Sequence, residues 1–327
     1  MAQAIVGIDV SKLTLDVALL KGEKRYEKKF ENSSQGYPQI MGWMGRYCER
    51  EAHVCLEATG QYGDGVAEYL HEKGCMVSVV NPARIKHYAN SKLRRNKTDK
   101  ADARLIAEYC LRENPAPWKP PTADFKRLQT LIRHLDDLQA GHQQTSNRMK
   151  SGVTLPEVIT QLKALDAVFL QQIEETKCLI EECIDHSPEF KQARNLLVSI
   201  PGIAQLTAAR ILGEVRDILD FENASQLAAY AGLTPREFTS GTSVHKKSRI
   251  SKLGNAHLRK ALYMPAIVSM KFNPIIRAFC ARLKESGHLP KEVVCAAMHK
   301  LLHHAYGVLK TGQPFDPNYL AKMQLVS

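Results

Sequence analysis

Short apolar runs dominate the first part of the chain, each closed by a turn residue or a charge. Ala4–Asp9 is one such run and Thr14–Leu20 a second, while Tyr26–Glu31 is a third, exposed and charged. Runs of this length predict strands, and a connection as short as Lys21-Gly22-Glu23 predicts that the three form an antiparallel meander. A helix is expected from Tyr37 to Glu49, then an apolar strand at His53–Glu57. Val66–Lys73 reads as a helix stopped by Gly74, and Met76–Val80 as a strand ended by Asn81-Pro82. Three strands followed by β-α-β-α predict a mixed sheet covered by helices.

The pattern changes at the proline-rich stretch Asn114–Pro121. From Asp124 to about His186 the chain is polar, with Leu128, Leu131, Ile132, Leu135 and Leu138 at helical spacing and a break at Ser151–Pro156. Two long helices in an antiparallel coiled coil are expected, spacing domains or joining protomers. The remainder, from about Arg194, reads as mostly helical apart from a Gly/Ser/Thr-rich loop at Thr234–Ser243. Leu197–Ile203, with Pro201-Gly202 at its centre, resembles the turn of a helix-hairpin-helix, whose backbone N–H groups grip phosphate without reading sequence. The expected division is 1–114, 115–190 and 191–327.

Composition adds one strong signal. The net charge is +11, and the cations cluster. Arg84–Arg104 holds eight Lys or Arg, among them Arg94, Arg95, Lys97, Lys100 and Arg104, and a second run from His245 to Lys260 contains Lys246, Lys247, Arg249, Lys252, Arg259 and Lys260. Such runs point to a polyanionic partner. The eight cysteines form no CxxC pair, which argues for reduced thiols and against a zinc site. No apolar run approaches a membrane span, and no secretory signal is seen, so a cytoplasmic protein is expected.

Four acids carry the candidate chemistry. Asp9 closes the first apolar run and Glu57 closes another, positions where a carboxylate needs a partner or a metal. Asp99 and Asp102, three apart, lie on one face of a helix that starts at Thr98, and their mutual repulsion is what a divalent cation relieves. Two strand-end acids with two on a later helix suit a two-metal phosphoryl-transfer site. Ser240, flanked by Gly241 and near cations, is a candidate nucleophile toward a phosphodiester, although Ser243, Ser248 and Ser251 are equally placed on these grounds.

Gly7-Ile8-Asp9-Val10-Ser11-Lys12, Leu56-Glu57-Ala58-Thr59-Gly60 and Asn96–Ala103 resemble the motifs of DEDD insertion-sequence transposases. Leu227–Arg236, Phe238–Ser243 and Leu258–Pro265 resemble the C-terminal domain of the same family. The resemblance implies an α/β N-terminal domain of RNase H/RuvC-like type with a mixed sheet, a helical coiled-coil segment and a mainly α C-terminal transposase domain. It implies Asp9, Glu57, Asp99 and Asp102 as ligands of one or two Mg²⁺ ions, and it singles out Ser240 as the nucleophile. It further implies donor and target double-stranded DNA, a structured noncoding bridge RNA, and a tetramer built as a dimer of dimers in the bacterial cytoplasm, at the nucleoid. Rival readings are a hydrolytic junction-resolving nuclease using the carboxylates alone, an actin-like ATPase and a noncatalytic binder.

Overall fold

The computed structural model describes residues 4–47, 52–58, 60–92, 99–240, 244–251 and 253–318. For Gln61, Asp99, Lys100, 235–240 and 244–249 it describes the backbone alone. The chain divides into two compact units, Met1–Pro120 and Pro121–Ser327.

The first unit is a five-stranded mixed sheet. Strands β1 (Ala4–Val10), β2 (Thr14–Lys21) and β3 (Lys24–Glu31) form the expected meander. Strands β4 (Ala52–Glu57) and β5 (Met76–Val80) then extend it in parallel from the other side of β1. The order β3-β2-β1-β4-β5 leaves β1 at the centre, hydrogen-bonded on both edges. This is the mixed sheet that the resemblance implied. Because side chains alternate between faces along a strand, β1 sends Val6 and Ile8 to one side and Ile5 to the other. Helices α1 (Gly36–Met44) and α2 (Asp64–Glu72) cover the first face, while α3 (Pro82–Ser91) and α4 (Asp99–Glu113) cover the second.

Two details depart from the sequence reading. Helix α1 stops at Met44, short of Glu49, which lies outside the described residues. The Asn81-Pro82 pair that ends β5 also begins α3, which went unread. The Asn81 side chain accepts a hydrogen bond from the Ala83 N–H at 2.8 Å, and Pro82 occupies the first helical position, where it has no intrahelical donor to lose.

The second unit is helical around one core. Helices α5 (Ala123–Lys150) and α6 (Pro156–His186) pack as a hairpin, with Thr122 capping α5 through the Phe125 N–H. Their near ends enter the core through Leu128, Ile132 and Leu135 on α5 and Ile173, Ile180 and Ile184 on α6. Farther out, Leu165 and Val168 stand exposed. Helices α7 (Pro188–Val198) and α8 (Gln205–Glu214) flank the Pro201-Gly202 turn, and α9 (Ala224–Tyr230) follows. Helices α10 (Ala256–Phe272), α11 (Pro274–Glu285) and α12 (Pro290–Thr311) complete the unit. The turn is tied to α10, because the Ser269 hydroxyl donates to the Pro201 carbonyl at 3.0 Å. Among the described residues no helix is long and apolar enough to cross a membrane.

The stretch expected as a loop is partly a hairpin. Strand β6 (Pro235–Ser240) pairs antiparallel with β7 (Val244–Ile250). Its Ser/Thr-rich composition hides a strand, since there is no apolar alternation to read, but cross-strand pairing satisfies the backbone and Phe238, Thr239 and Val244 suit a pleated surface. The foot of the hairpin is fixed by the Ser251 N–H donating to the Thr234 carbonyl (2.9 Å) and the Asn255 N–H to the Tyr230 carbonyl (2.7 Å). Below it lies Glu214, whose side chain is 1% exposed. Arg133 reaches both Glu214 oxygens, at 3.1 and 3.2 Å, and the Asn255 amide donates to one at 2.7 Å.

Breaking that network strands a buried charge. Arg133→Leu is expected to lower unfolding free energy by about 3–5 kcal/mol, read by denaturant titration. Acidification should also destabilise this unit. On α12, burial first, then Lys300 and His303, holds His304 down to about 4. Burial, then His299 and Lys300, does the same to His303. Both fold neutral, so the stability they give is present above their ordinary value of 6.5 and is lost as pH falls toward 4, where only the unfolded chain takes up protons. The melting temperature is expected to drop across that window, and His304→Gln to flatten the drop.

Candidate active site

Asp9 is the penultimate residue of β1 and Glu57 the last of β4, and the two strands run parallel with Ile8 opposite Leu56. The acids therefore follow one another at the same end of adjacent strands. On β1, Gly7 and Asp9 share the face of Ile5, and on β4 Glu57 shares the face of Cys55. That face is the one under α4.

The contact that fixes the site is at Gly7. A Cβ there would lie 2.3 Å from both the Ala103 carbonyl oxygen and the Ala107 nitrogen. Helix backbone and strand backbone thus touch at this point. Only a glycine below, with the small Ala103 and Ala107 above, permits it. From Gly7 to Asp9 the strand advances roughly 6.6 Å. Four residues of helix cover about the same length, 6 Å. The antiparallel run of α4, with Cys110 beside Cys55 and His53 nearer the strand starts, then brings the first turn, Asp99 to Asp102, level with Asp9 and Glu57. Asp9, Glu57 and Asp102 are half-buried. The side chain of Asp99 lies outside the described ones. Among the described residues, no three His, Cys, Asp or Glu side chains converge as a metal-binding group. The backbone placement and the all-carboxylate donor set nonetheless suit a hard divalent ion.

Neighbouring charges are managed. Asp16 on β2 is the cross-strand partner of Asp9 and is 6% exposed, so two carboxylates face one another. Lys29 of β3 sits 3.1 Å from Asp16 and offsets the repulsion. Arg104 of α4, expected to bind phosphate, is ion-paired with Glu27 of β3. Two buried thiols, Cys55 and Cys110, join β4 to α4. The Cys110 thiol is lowered by its hydrogen bond with Cys55, against burial and with help from His53, while the same bond raises Cys55. Neither thiol was singled out from the sequence. Gly7 stood inside the quoted Gly-Ile-Asp motif, but its packing role shows only with α4 in place.

The other expected residues are less fully placed. Arg94, Arg95, Lys97 and Lys252 lie outside the described residues, and Lys100, Lys246, Lys247 and Arg249 have only their backbone described, on α4 and β7. Ser240 is the last residue of β6, in register with Val244, and belongs to the second unit.

Comparison with known proteins decides the family. One transposase family model matches residues 6–158, and a second, described as transposase IS116/IS110/IS902 family, matches 194–281. A pilin gene-inverting protein of Moraxella bovis is 33% identical over 97% of this chain and 98% of its own length. The chain belongs to the IS110 family of transposases. The transposase of element IS1328 from Yersinia enterocolitica is 26% identical, over 77% of this chain and 82% of that one. Among solved structures, Thermus thermophilus RuvC in complex with Holliday junction substrate covers 35% of the transposase and 98% of its own chain at 16% identity. Its TM-score is 0.27, too low to carry an inference.

Gly7→Ala tests the contact. All three atoms that a Cβ would meet are backbone, so α4 must move. A stability loss of about 1–3 kcal/mol is expected. DNA cleavage should fall roughly 100-fold, because displacing catalytic groups by an ångström costs that much. Cleavage assays at a temperature where both proteins remain folded would separate the two effects.

Proposed function

We propose that this transposase cuts and rejoins donor and target DNA through a covalent phosphoserine intermediate at Ser240, with the metal site formed by Asp9, Glu57, Asp99 and Asp102. The observation that carries the reading is the Gly7 contact, which sets the first turn of α4 level with the two strand-end acids. Mg²⁺, as one or two ions, would supply positive charge against the oxygens of the scissile phosphate. The Ser240 Oγ–P bond forms as one P–O bond of the DNA backbone breaks, and the departing deoxyribose oxygen takes the proton. An incoming deoxyribose hydroxyl then reverses the step, releasing Ser240. The ester conserves the phosphodiester bond energy, so no nucleotide cofactor is needed.

Rejoining is favoured over hydrolysis by the relative whose name describes gene inversion. An inverted segment must be resealed at both ends, and a hydrolytic nuclease does not reseal. On the family resemblance we further propose that a noncoding bridge RNA pairs with both DNAs, and that four protomers assemble as two dimers. The net charge of +11 accords with polyanionic partners.

The test mixes purified protein with labelled donor and target DNA, Mg²⁺ and RNA transcribed from the element's flanks. Denaturing gels should show label retained on wild-type protein and absent from Ser240→Ala and Asp102→Ala. Cleavage surviving Ser240→Ala without an adduct would establish the hydrolytic nuclease instead.

A further inference from the structure

The second unit contains a cleft of about 730 Å³, lined in part by the Leu258–Pro265 stretch. Its walls come from α5, α8, α10 and α12, and Ile250, at the foot of the Ser240 hairpin, closes one side. Thr207, in the first turn of α8 just beyond the Pro201-Gly202 bend, opens onto it. Three cations line it, Arg210, Arg259 and Lys260, against a single carboxylate, Asp136.

The donors are more numerous than the acceptors that hold them. Arg210 spends one terminal nitrogen on Asp136 at 2.8 Å and on Gln139 at 2.7 Å, while its Nε is buried without a hydrogen-bond partner among the described residues. Arg259 gives one nitrogen to the Ala231 carbonyl at 2.9 Å. Lys260 is 67% exposed and only loosely drawn to Asp136, at 3.9 Å, with His257 at 4.0 Å from the same oxygen. One carboxylate cannot neutralise three cations. A buried donor without an acceptor is costly, and an anion with several oxygens relieves it. The first N–H groups of a helix, here those of α8, favour the same kind of ligand.

We propose that this cleft seats a backbone phosphate of nucleic acid, gripped without regard to base sequence by Arg210, Arg259, Lys260 and the first turn of α8. Asp136 orients Arg210 and cancels part of the charge, so that the site binds a phosphodiester and still releases it. This rests on the reading that the chain handles nucleic acid, but not on Ser240 being the nucleophile.

The experiment measures equilibrium binding of full-length protein to a random-sequence DNA duplex and to an RNA hairpin, each across a range of salt. Lys260→Glu is the first variant, because its side chain is exposed and its loss strands no buried group. The double variant Asp136→Asn with Arg210→Gln removes the buried pair together, leaving neither charge alone. Lys163→Glu, on α6 and away from the cleft, changes net charge equally and serves as the control. Lys260→Glu is expected to weaken binding about tenfold and to flatten the salt dependence by about one phosphate contact, a slope change near 0.9. The double variant should move in the same direction. Loss on the duplex alone identifies DNA as the occupant, loss on the hairpin alone identifies RNA, and loss on both identifies a shared backbone seat. Binding and slope equal to wild type on both nucleic acids, or a loss no larger than that of Lys163→Glu, overturn the proposal. Ser240→Ala, assayed in parallel for the adduct alone, keeps the two readings apart.

Discussion

A helix can lie directly on a sheet only where the strand beneath has no side chain, and in this protein that place is Gly7. The requirement is strict because the atoms above it are the carbonyl and amide of α4 itself, which have no rotamer to escape into. Much follows from that one approach. It fixes the height of α4 and hence the level at which its first turn meets the ends of β1 and β4. It also explains why Ala103 and Ala107 are small, and why Cys55 and Cys110 can meet farther along the same helix. The position of β1 at the centre of the sheet, hydrogen-bonded on both edges, makes the platform stiff enough for that height to matter.

The second unit solves a similar problem with charge in place of close packing. Glu214 is nearly inaccessible, yet Arg133 satisfies it from α5 and Asn255 from the N-cap of α10, and the foot of the β6–β7 hairpin is held between them. Asp136 plays a comparable part near the cleft, gathering Arg210, His257 and Lys260 at distances from 2.8 to 4.0 Å. In both cases a buried carboxylate fixes its neighbours only because several donors converge on it.

How much of this was legible in the sequence depended on the range of the interaction. The meander, both parallel strands and the long helices were readable because apolar spacing is a local property. The positions of the four acids at strand ends and in a first helical turn were readable for a related reason, since strand ends and helix starts are local features. The β6–β7 hairpin was not, because its strands carry no apolar alternation and are held by pairing with each other. Helix α3 was missed because one Asn-Pro pair both ends a strand and caps a helix. The Asp136–Arg210 and Glu214–Arg133 pairs, separated by 74 and 81 residues, left no local mark. Such pairs are set by tertiary packing, and a spacing pattern cannot report them.

The division of the chain has a meaning for the cell that carries it. The acids lie before Pro120 and the serine after Pro121. On the reading proposed for this site, a truncated translation product that ends between the units holds the acids without the nucleophile. A mobile element that shares its host's genome thereby gains a safeguard, since strand exchange awaits completion of the polypeptide.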